Sequence, residues 1–252
     1  MQVQTRGIII RETPVGENDK YVTLLTENLG TVEAYVRGAR RKGGRLATST
    51  GLFCYASFEL FRGKSGYYID QADVIALFYD LRLDLVRLST ASYFCQVLCE
   101  LGPDGQQADE TLRLTLRALH LLSRGKKDFR LVKAVFELRA LSIGGLCPDL
   151  VACRVCAQFD KPMRFYIGDG ELLCGDCAGK ASEAGGETGF AELTPGVLAA
   201  LRHIVYSPIE KAFSFTLDDE NMRLLAEVCE SYLLYHTERN YRSLDFLKTV
   251  TE

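Results

Sequence analysis

The 252-residue sequence has no apolar run near the roughly 20 residues that a membrane-spanning helix needs; stretches such as Val197 to Leu201 are far shorter. Three consecutive isoleucines near the N-terminus run straight into Arg11 and Glu12. Neither a transmembrane helix nor a signal peptide is therefore expected, and membranes drop out as partners. An excess of either charge is also missing: 30 Lys plus Arg stand against 33 Asp plus Glu, a net charge of −3. Bulk electrostatics thus announces no nucleic-acid partner, and any such partner must be met by a local patch. Histidine is scarce: the three residues His120, His203 and His236 are isolated on helical patterns, which removes the H-E-x-x-H metalloprotease motif. There is no G-x-S-x-G elbow. Gly38 to Gly43 has the glycine spacing of a phosphate loop but is followed by Gly44-Arg45, and Gly63-Lys64-Ser65 has Phe58 where the first glycine belongs, so no nucleotide site is expected. Neither internal repeats nor low-complexity tracts are present. With 47% hydrophobic and 25% charged residues, the chain is globular, one large domain or two modest ones. Nine cysteines in a chain long enough to bury a core point to metal binding in a reducing cytosol, not to a disulfide framework.

Chain character changes near residue 80. Before it, Gly7 to Arg11, Tyr21 to Thr26, Val32 to Arg37, Ser57 to Phe61 and Gly66 to Ile69 are short runs rich in β-branched and aromatic residues, separated by turn residues. Five strands in this length predict a small closed barrel, of OB-fold or SH3-like type. After residue 80 the period is helical. One stripe runs from Leu81 through Leu88, Phe94 and Leu101; a second joins Leu112, Leu116, Leu119 and Leu122; a third joins Leu131, Val135, Leu138 and Leu141,. Gly102-Pro103, Gly125 and Gly144-Gly145 end them. Ser182 to Gly189 is small and acidic, the composition of a loop or linker. Thr194-Pro195 reads as an N-cap followed by proline at the first helical position. A last long helix is expected to start near Asp218-Asp219 and to run through Leu224, Leu225, Val228 and Leu233.

The strongest local signal is Cys153-x-x-Cys156, seventeen residues, then Cys174-x-x-Cys177. Two such knuckles present four thiolates to one tetrahedral ion, Zn²⁺ or an iron in the same sulfur cage. Phe165-Tyr166-Ile167, Gly168-Asp169-Gly170 and Leu172-Leu173 read as strand, turn and strand, the hairpin of a zinc ribbon. Four ligands leave no open position, so the site is structural. Cys147 has no partner at ligand spacing, and Cys54, Cys95, Cys99 and Cys229 are expected to be small buried residues.

The second signal is a basic loop. Between Ala34 and Phe58 there is no acidic residue, while Arg37, Arg40, Arg41, Lys42 and Arg45 crowd into nine positions with Gly38, Gly43 and Gly44 among them. Glycines let main-chain N–H groups approach a phosphate, and guanidinium groups grip it bidentately. Some of the ten aromatics in the first 80 residues, among them Tyr35, Phe53, Tyr55, Tyr67 and Tyr68, are candidates for stacking on bases. A solvated hairpin is the alternative.

The order and spacing of several motifs resemble the RecO family of bacterial recombination mediators. They are Gly7-Ile-Ile-Ile-Arg11, Gly16-Glu-Asn-Asp-Lys20, Leu24 to Gly30, Val36-Arg-Gly-Ala-Arg-Arg41, Phe136-Glu-Leu-Arg-Ala-Leu141, the four cysteines, Thr194-Pro-Gly196 and Tyr232 to Leu247. The likeness extends over essentially the whole chain. It implies an α+β multidomain protein: a five-stranded OB-fold barrel for nucleic acid at 1–80, a helical domain at 81–150 and 181–252, and an inserted four-cysteine zinc ribbon at 151–180. It implies no bond-breaking activity. RecO-like proteins bind single- and double-stranded DNA, engage DNA coated with single-strand-binding protein through that protein's C-terminal tail, and anneal complementary strands. With RecR, sometimes also RecF, they help load RecA in gap repair, which places them in the cytoplasm at the nucleoid. Carried onto this sequence, the DNA role falls on Arg37, Arg40 and Arg41, with Lys42 and Arg45 added by local charge and Arg11 and Lys20 as weaker candidates. One structural zinc falls to Cys153, Cys156, Cys174 and Cys177. The acidic, apolar-ended tail needs a groove beside a cation, and residues 129–143 with Arg130, Lys133 and Arg139 are the expected lining. The competing function is a zinc-ribbon adaptor whose barrel mediates protein contacts in transcription or translation.

Overall fold

A computed structural model describes residues 2–41, 44, 46–64, 66–103, 105–183 and 189–251. Its contacts group into two compact units, residues 1–125 with 241–252, and residues 126–240. This grouping departs from the sequence-based division in treating 181–252 as two pieces, because the last helix joins the barrel's unit.

In the first unit, β1 (Gln2–Val15), β2 (Asp19–Thr26), β3 (Gly30–Val36), β4 (Cys54–Gly63) and β5 (Gly66–Leu77) close into a barrel in the order β1-β2-β3-β5-β4. All pairs are antiparallel except β3 with β5, the closure expected of a five-stranded OB-fold. Alternation along β4 puts Cys54, Ala56, Phe58 and Leu60 inside, where they meet Ile9, Val22, Leu24, Ala34, Val36 and Ile69,. Along β1 the alternation fails. The register shifts between Ile9 and Arg11, leaving Ile10 unpaired, and Ile8, Ile9 and Ile10 are all buried. This bulge lets consecutive isoleucines be buried, because helix α1 (Leu85–Leu101) packs against β1,.

A 3-10 turn (Tyr79–Leu83), α1, α2 (Asp109–Arg124) and α7 (Arg242–Thr251) complete this unit. Asp84 caps α1 by accepting from the Arg87 N–H at 2.9 Å,. Helix α7 lies on α1: the Ser243 hydroxyl donates to Gln96 Oε1 at 2.5 Å, and Tyr241 meets Tyr93 edge to face at 5.7 Å. The sequence carries no break between this helix and the preceding α6 (Asp219–Thr237) because the turn is made by Glu238, a non-glycine residue at φ 51°,.

The second unit is built around α3 (Phe129–Ile143), on which Leu131 to Leu141 is buried without interruption. Helices α5 (Pro195–Tyr206) and α6 pack on it, so Lys133 and Arg139 are enclosed, while Arg130 at its start stays partly exposed. The Lys133 ammonium donates to Glu137 at 2.8 Å and Glu230 at 2.7 Å, Arg139 donates to the Val205 carbonyl at 2.7 Å, and Arg130 bridges Asp128 and Asp219. The open groove expected along residues 129–143 is therefore corrected for Lys133 and Arg139: from Leu131 to Leu141 this helix is core, and Arg130 is the one of the three expected lining cations that reaches solvent. Thr194 and Asp218 cap α5 and α6 as the sequence reading expects, accepting from the N–H groups of Val197 at 3.2 Å and Asn221 at 2.9 Å.

Strands β6 (Asp149–Cys153), β7 (Met163–Tyr166), β8 (Glu171–Cys174) and β9 (Phe190–Leu193) form a sheet in the order β6-β8-β7-β9. The turn between β7 and β8 falls at Gly168 to Gly170, and Phe165 packs on Tyr232 of α6 at 5.4 Å. Helix α4 (Gly175–Glu183) covers the start of the expected 182–189 linker, and residues 184–188 lie outside those described. No helix among the described residues is long and apolar enough to cross a membrane.

Candidate nucleic-acid interface and metal centre

The basic loop leaves β3 at Arg37 and returns at β4. Its first end is held by Asp19, the first residue of β2. One Asp19 oxygen accepts the Gly38 N–H at 2.7 Å and the other accepts the Tyr35 hydroxyl. The next turn is pinned by the Arg40 N–H donating to the Asn18 carbonyl at 2.9 Å. Gly38 sits at φ 68°, and a Cβ on Gly44 would lie 2.8 Å from the Gly38 carbonyl, so the loop folds back on itself where both residues are glycine,. The second end is held by Lys20, whose ammonium donates to the Thr50 carbonyl at 2.7 Å and to Glu12 at 2.9 Å. The other Glu12 oxygen accepts the Leu52 N–H.

These anchors leave the side chains of Arg37, Arg40 and Arg41 exposed. Lys42 and Arg45 lie outside the described residues. Arg11 is exposed at a cleft of about 570 Å³ that Leu52, Gln96, Cys99 and Glu100 also line. Lys20 departs from its expected role. At 5% exposure, with its ammonium taken up by Glu12 and the Thr50 carbonyl, it positions the loop and does not face solvent. Burying an ammonium beside one carboxylate and one carbonyl is tolerable only because both are hydrogen-bonded to it.

Asp19 and Glu12 are loop-anchoring residues that composition alone did not single out, although Asp19 directly follows the turn Gly16-Glu17-Asn18. The backbone N–H of Gly38, then the Tyr35 hydroxyl, with Arg37 and Arg41 nearby, hold the Asp19 carboxyl below its ordinary pKa; the same contact raises that of Tyr35. A depressed folded-state pKa means that Asp19 contributes stability above its unfolded pKa, about 4, and loses it as pH falls through the lower folded value. The loop is therefore expected to loosen at Gly38 as pH falls below about 4 and to detach as it passes through that lower folded value. Amide exchange at Gly38 measured from pH 6 to 3 checks this: protection should fall with acid, and in Asp19→Asn it should be weaker and flat across that range.

In the second unit the sulfur atoms of Cys153, Cys156, Cys174 and Cys177 all lie within 4.8 Å of one another, with Cys156 and Cys174 at 3.7 Å. A tetrahedral ion with sulfurs at about 2.3 Å has sulfur–sulfur edges of about 3.8 Å, so the spacing fits a four-thiolate metal site. The first knuckle closes through the Ala157 N–H, which donates to the Cys153 carbonyl at 2.9 Å with Ala157 at φ 57°. Arg154 ties it to the hairpin turn, donating to Asp169 at 2.9 Å and Glu171 at 2.8 Å. Burial opposes ionisation of Cys153, but the N–H groups of Cys174, Cys156 and Val155 outweigh it and bring the thiol down to about 6. Hydrogen bonding to Cys174, joined by burial and the other two sulfurs, pushes Cys177 up to about 12. Four thiolates this close repel, and a cation among them removes the conflict.

The remaining cysteines differ. Cys54, Cys95 and Cys229 are buried, Cys99 is half-buried and Cys147 is exposed; burial pushes Cys54 up to about 11. His203 and His236 are engaged by the Lys211 and Ile167 carbonyls, and His120 is exposed.

Two family descriptions match this chain: Recombination protein O N terminal over residues 1–78, and Recombination protein O C terminal over residues 82–245. A DNA repair protein RecO of Acetivibrio thermocellus is 35% identical, with 98% of this chain aligned to 97% of that protein. One of Symbiobacterium thermophilum is 34% identical over 97% and 96% of the two chains. One of Anaeromyxobacter sp. strain K is 33% identical over 99% and 97%. The barrel with its anchored basic loop coincides with the first match, the helices and the four-cysteine sheet with the second, and together they establish that the chain belongs to the RecO family of DNA repair proteins.

Proposed function

We propose that this chain is a non-enzymatic mediator of recombinational repair that binds single- and double-stranded DNA and anneals complementary strands. The supporting observation is the loop after β3. Three exposed arginines are presented on a backbone tied at one end to Asp19 and at the other to Lys20, in a stretch without acidic residues from Ala34 to Phe58. Such a loop grips phosphates and reads no sequence. Bringing cations to two strands lowers the repulsion that slows their pairing, with counterion release as the driving force. Arg37, Arg40 and Arg41 carry this role, with Lys42 and Arg45 contributing charge and Arg11 extending it beyond the loop; Lys20 acts as a positioning residue.

Cys153, Cys156, Cys174 and Cys177 hold one zinc ion, which supplies cross-linking of the two knuckles and no reactive coordination position. Partners follow from the family: RecR, the C-terminal tail of single-strand-binding protein, RecA and in some members RecF, met at the nucleoid in the cytoplasm. With Leu131 to Leu141 of α3 enclosed, the tail site does not lie along that stretch.

The test is annealing of complementary oligonucleotides coated with single-strand-binding protein, without nucleotide, at several salt concentrations. Rapid annealing that falls steeply with salt is expected. A protein that neither binds nor anneals DNA at low salt overturns the reading in favour of an adaptor.

A further inference from the structure

The face of the barrel next to the basic loop carries an aromatic row. Tyr21 on β2 is the cross-strand partner of Tyr35 on β3, Tyr35 that of Tyr68 on β5, and Tyr68 that of Phe61 on β4. Cross-strand partners share a face, so four consecutive strands each place one ring in a line. Tyr21 and Tyr35 meet edge to face with centroids 5.2 Å apart, and Tyr35 and Tyr68 do so at 5.8 Å. The rings are not hidden: Tyr21 is 42%, Tyr68 37% and Phe61 51% exposed. Large aromatics left in water in a line are unusual for a sheet face that serves only the fold.

The row is continuous with the loop. Tyr35 leads directly into Val36 and Arg37, and its hydroxyl shares Asp19 with the Gly38 N–H. Arg37 and Arg41 are close enough to act on the Asp19 carboxylate. At the other end, Phe61 and Tyr68 line a shallow hollow with Gln2, Ile69 and Asp70. Positive charge is therefore concentrated on the loop beside Tyr35, whereas the Phe61 end carries charge of both signs, Asp70 in the hollow and Arg62 over the Tyr67 ring. A chain whose phosphates follow the loop arginines and whose uncharged bases cross the rings fits this distribution. Four strands span three spacings of about 4.8 Å, roughly 14 Å, which accommodates about two or three unstacked bases.

We infer that Tyr21, Tyr35, Tyr68 and Phe61 form a base-stacking platform that binds single-stranded DNA, beside a loop that binds phosphate in either single strands or duplex. The inference rests on the proposed DNA role of the loop and adds strand selectivity to it. A duplex hides its base faces, so the platform is silent towards duplex and active towards single strands. Edge-to-face packing keeps the platform stiff, and the hydrogen bond to Asp19 locks the central ring.

The experiment compares the full chain with Tyr21→Ala/Tyr68→Ala and Tyr21→Phe/Tyr68→Phe, binding oligo(dT) and a duplex of equal length across a salt series. Loss of two stacked rings is expected to weaken oligo(dT) binding about thirtyfold while duplex affinity and both salt slopes stay unchanged. The phenylalanine pair should behave as the parent, because the ring and not the hydroxyl stacks. With no tryptophan and twelve tyrosines in the chain, ultraviolet emission reports tyrosine directly, and oligo(dT) should quench it less in the alanine pair. Unchanged oligo(dT) affinity beside normal duplex binding overturns the platform and assigns the row to protein contact, leaving the loop's role intact. Equal losses towards oligo(dT) and duplex also overturn it, as does a parent protein that binds neither, which removes the DNA role as well.

Discussion

Replacing Arg40, Arg41 and Lys42 together with alanine is expected to weaken DNA binding about a hundredfold and to remove most annealing, if each exposed cation–phosphate contact contributes about 1 kcal/mol. The salt dependence carries the sharper signature. Each phosphate neutralised adds about 0.9 to the slope of log affinity against log salt on duplex, so losing three should flatten that slope by about 2.7. The fold is expected to survive, because the ties at Asp19–Gly38, Asn18–Arg40 and Lys20–Thr50 run through backbone atoms of the loop and through side chains left unchanged. A variant with parental affinity and slope would sink the assignment of the loop. A lost near-ultraviolet spectrum would instead mean that the barrel had been damaged, and Arg40→Gln/Arg41→Gln, which keeps polar side chains, separates the two outcomes.

Removing the metal is expected to have the largest effect on structure. Structural zinc sites bind with about 10–16 kcal/mol of apparent free energy, as much as the entire stability of a typical domain at about 5–15 kcal/mol. The sheet is only four short strands, with Leu150, Met163, Phe165, Tyr166, Leu172, Leu173 and Leu193 as its buried apolar residues, and it leans on Tyr232 of α6. Cys156→Ser is a gentle probe because Cys156 is exposed, so the change removes a ligand without leaving a cavity. We expect it to abolish stoichiometric zinc and to open residues 153–162 to protease before β7 and β8, with the barrel's own melting unaltered. Metal analysis combined with limited proteolysis checks this. If a chelator strips the metal and cleavage around 146–180 does not change, the ion has no structural role.

The four-cysteine cluster and the barrel were legible for a shared reason: both are written in short-range patterns. Cysteines two apart fall on one turn, and a strand's alternation is visible in ten residues, as Cys54 to Leu60 shows. The Tyr21–Tyr35 pair was legible in principle too, since the tight turn between β2 and β3 sets their register. Its extension to Tyr68 was not, because β3 and β5 pair in parallel across an intervening strand. Lys20 read as a surface cation, since nothing near it in sequence shows that the Thr50 carbonyl will arrive thirty residues later. Residues 129–143 read as a half-exposed helix by periodicity, yet Lys133, Glu137 and Arg139 are buried by pairing with one another or with α5 and α6. Long-range ion pairs let polar residues occupy core positions and so disguise a central helix as a surface one.

The pairing of α7 with α1 bears on how the chain is made. Because residues 241–252 belong with 1–125, the four-cysteine unit is spliced into the barrel's unit and attached through both of its ends. A chain emerging from the ribosome can finish residues 126–240, and bring its four cysteines together, while α1 still lacks the helix that covers it. Tyr93 and Gln96 wait for Tyr241 and Ser243, about 150 residues downstream. Synthesis at roughly 5–20 residues per second puts that wait at roughly seven to thirty seconds. The domain that begins first is thus completed last, and losing the final dozen residues would injure the N-terminal half of the protein instead of the half they follow.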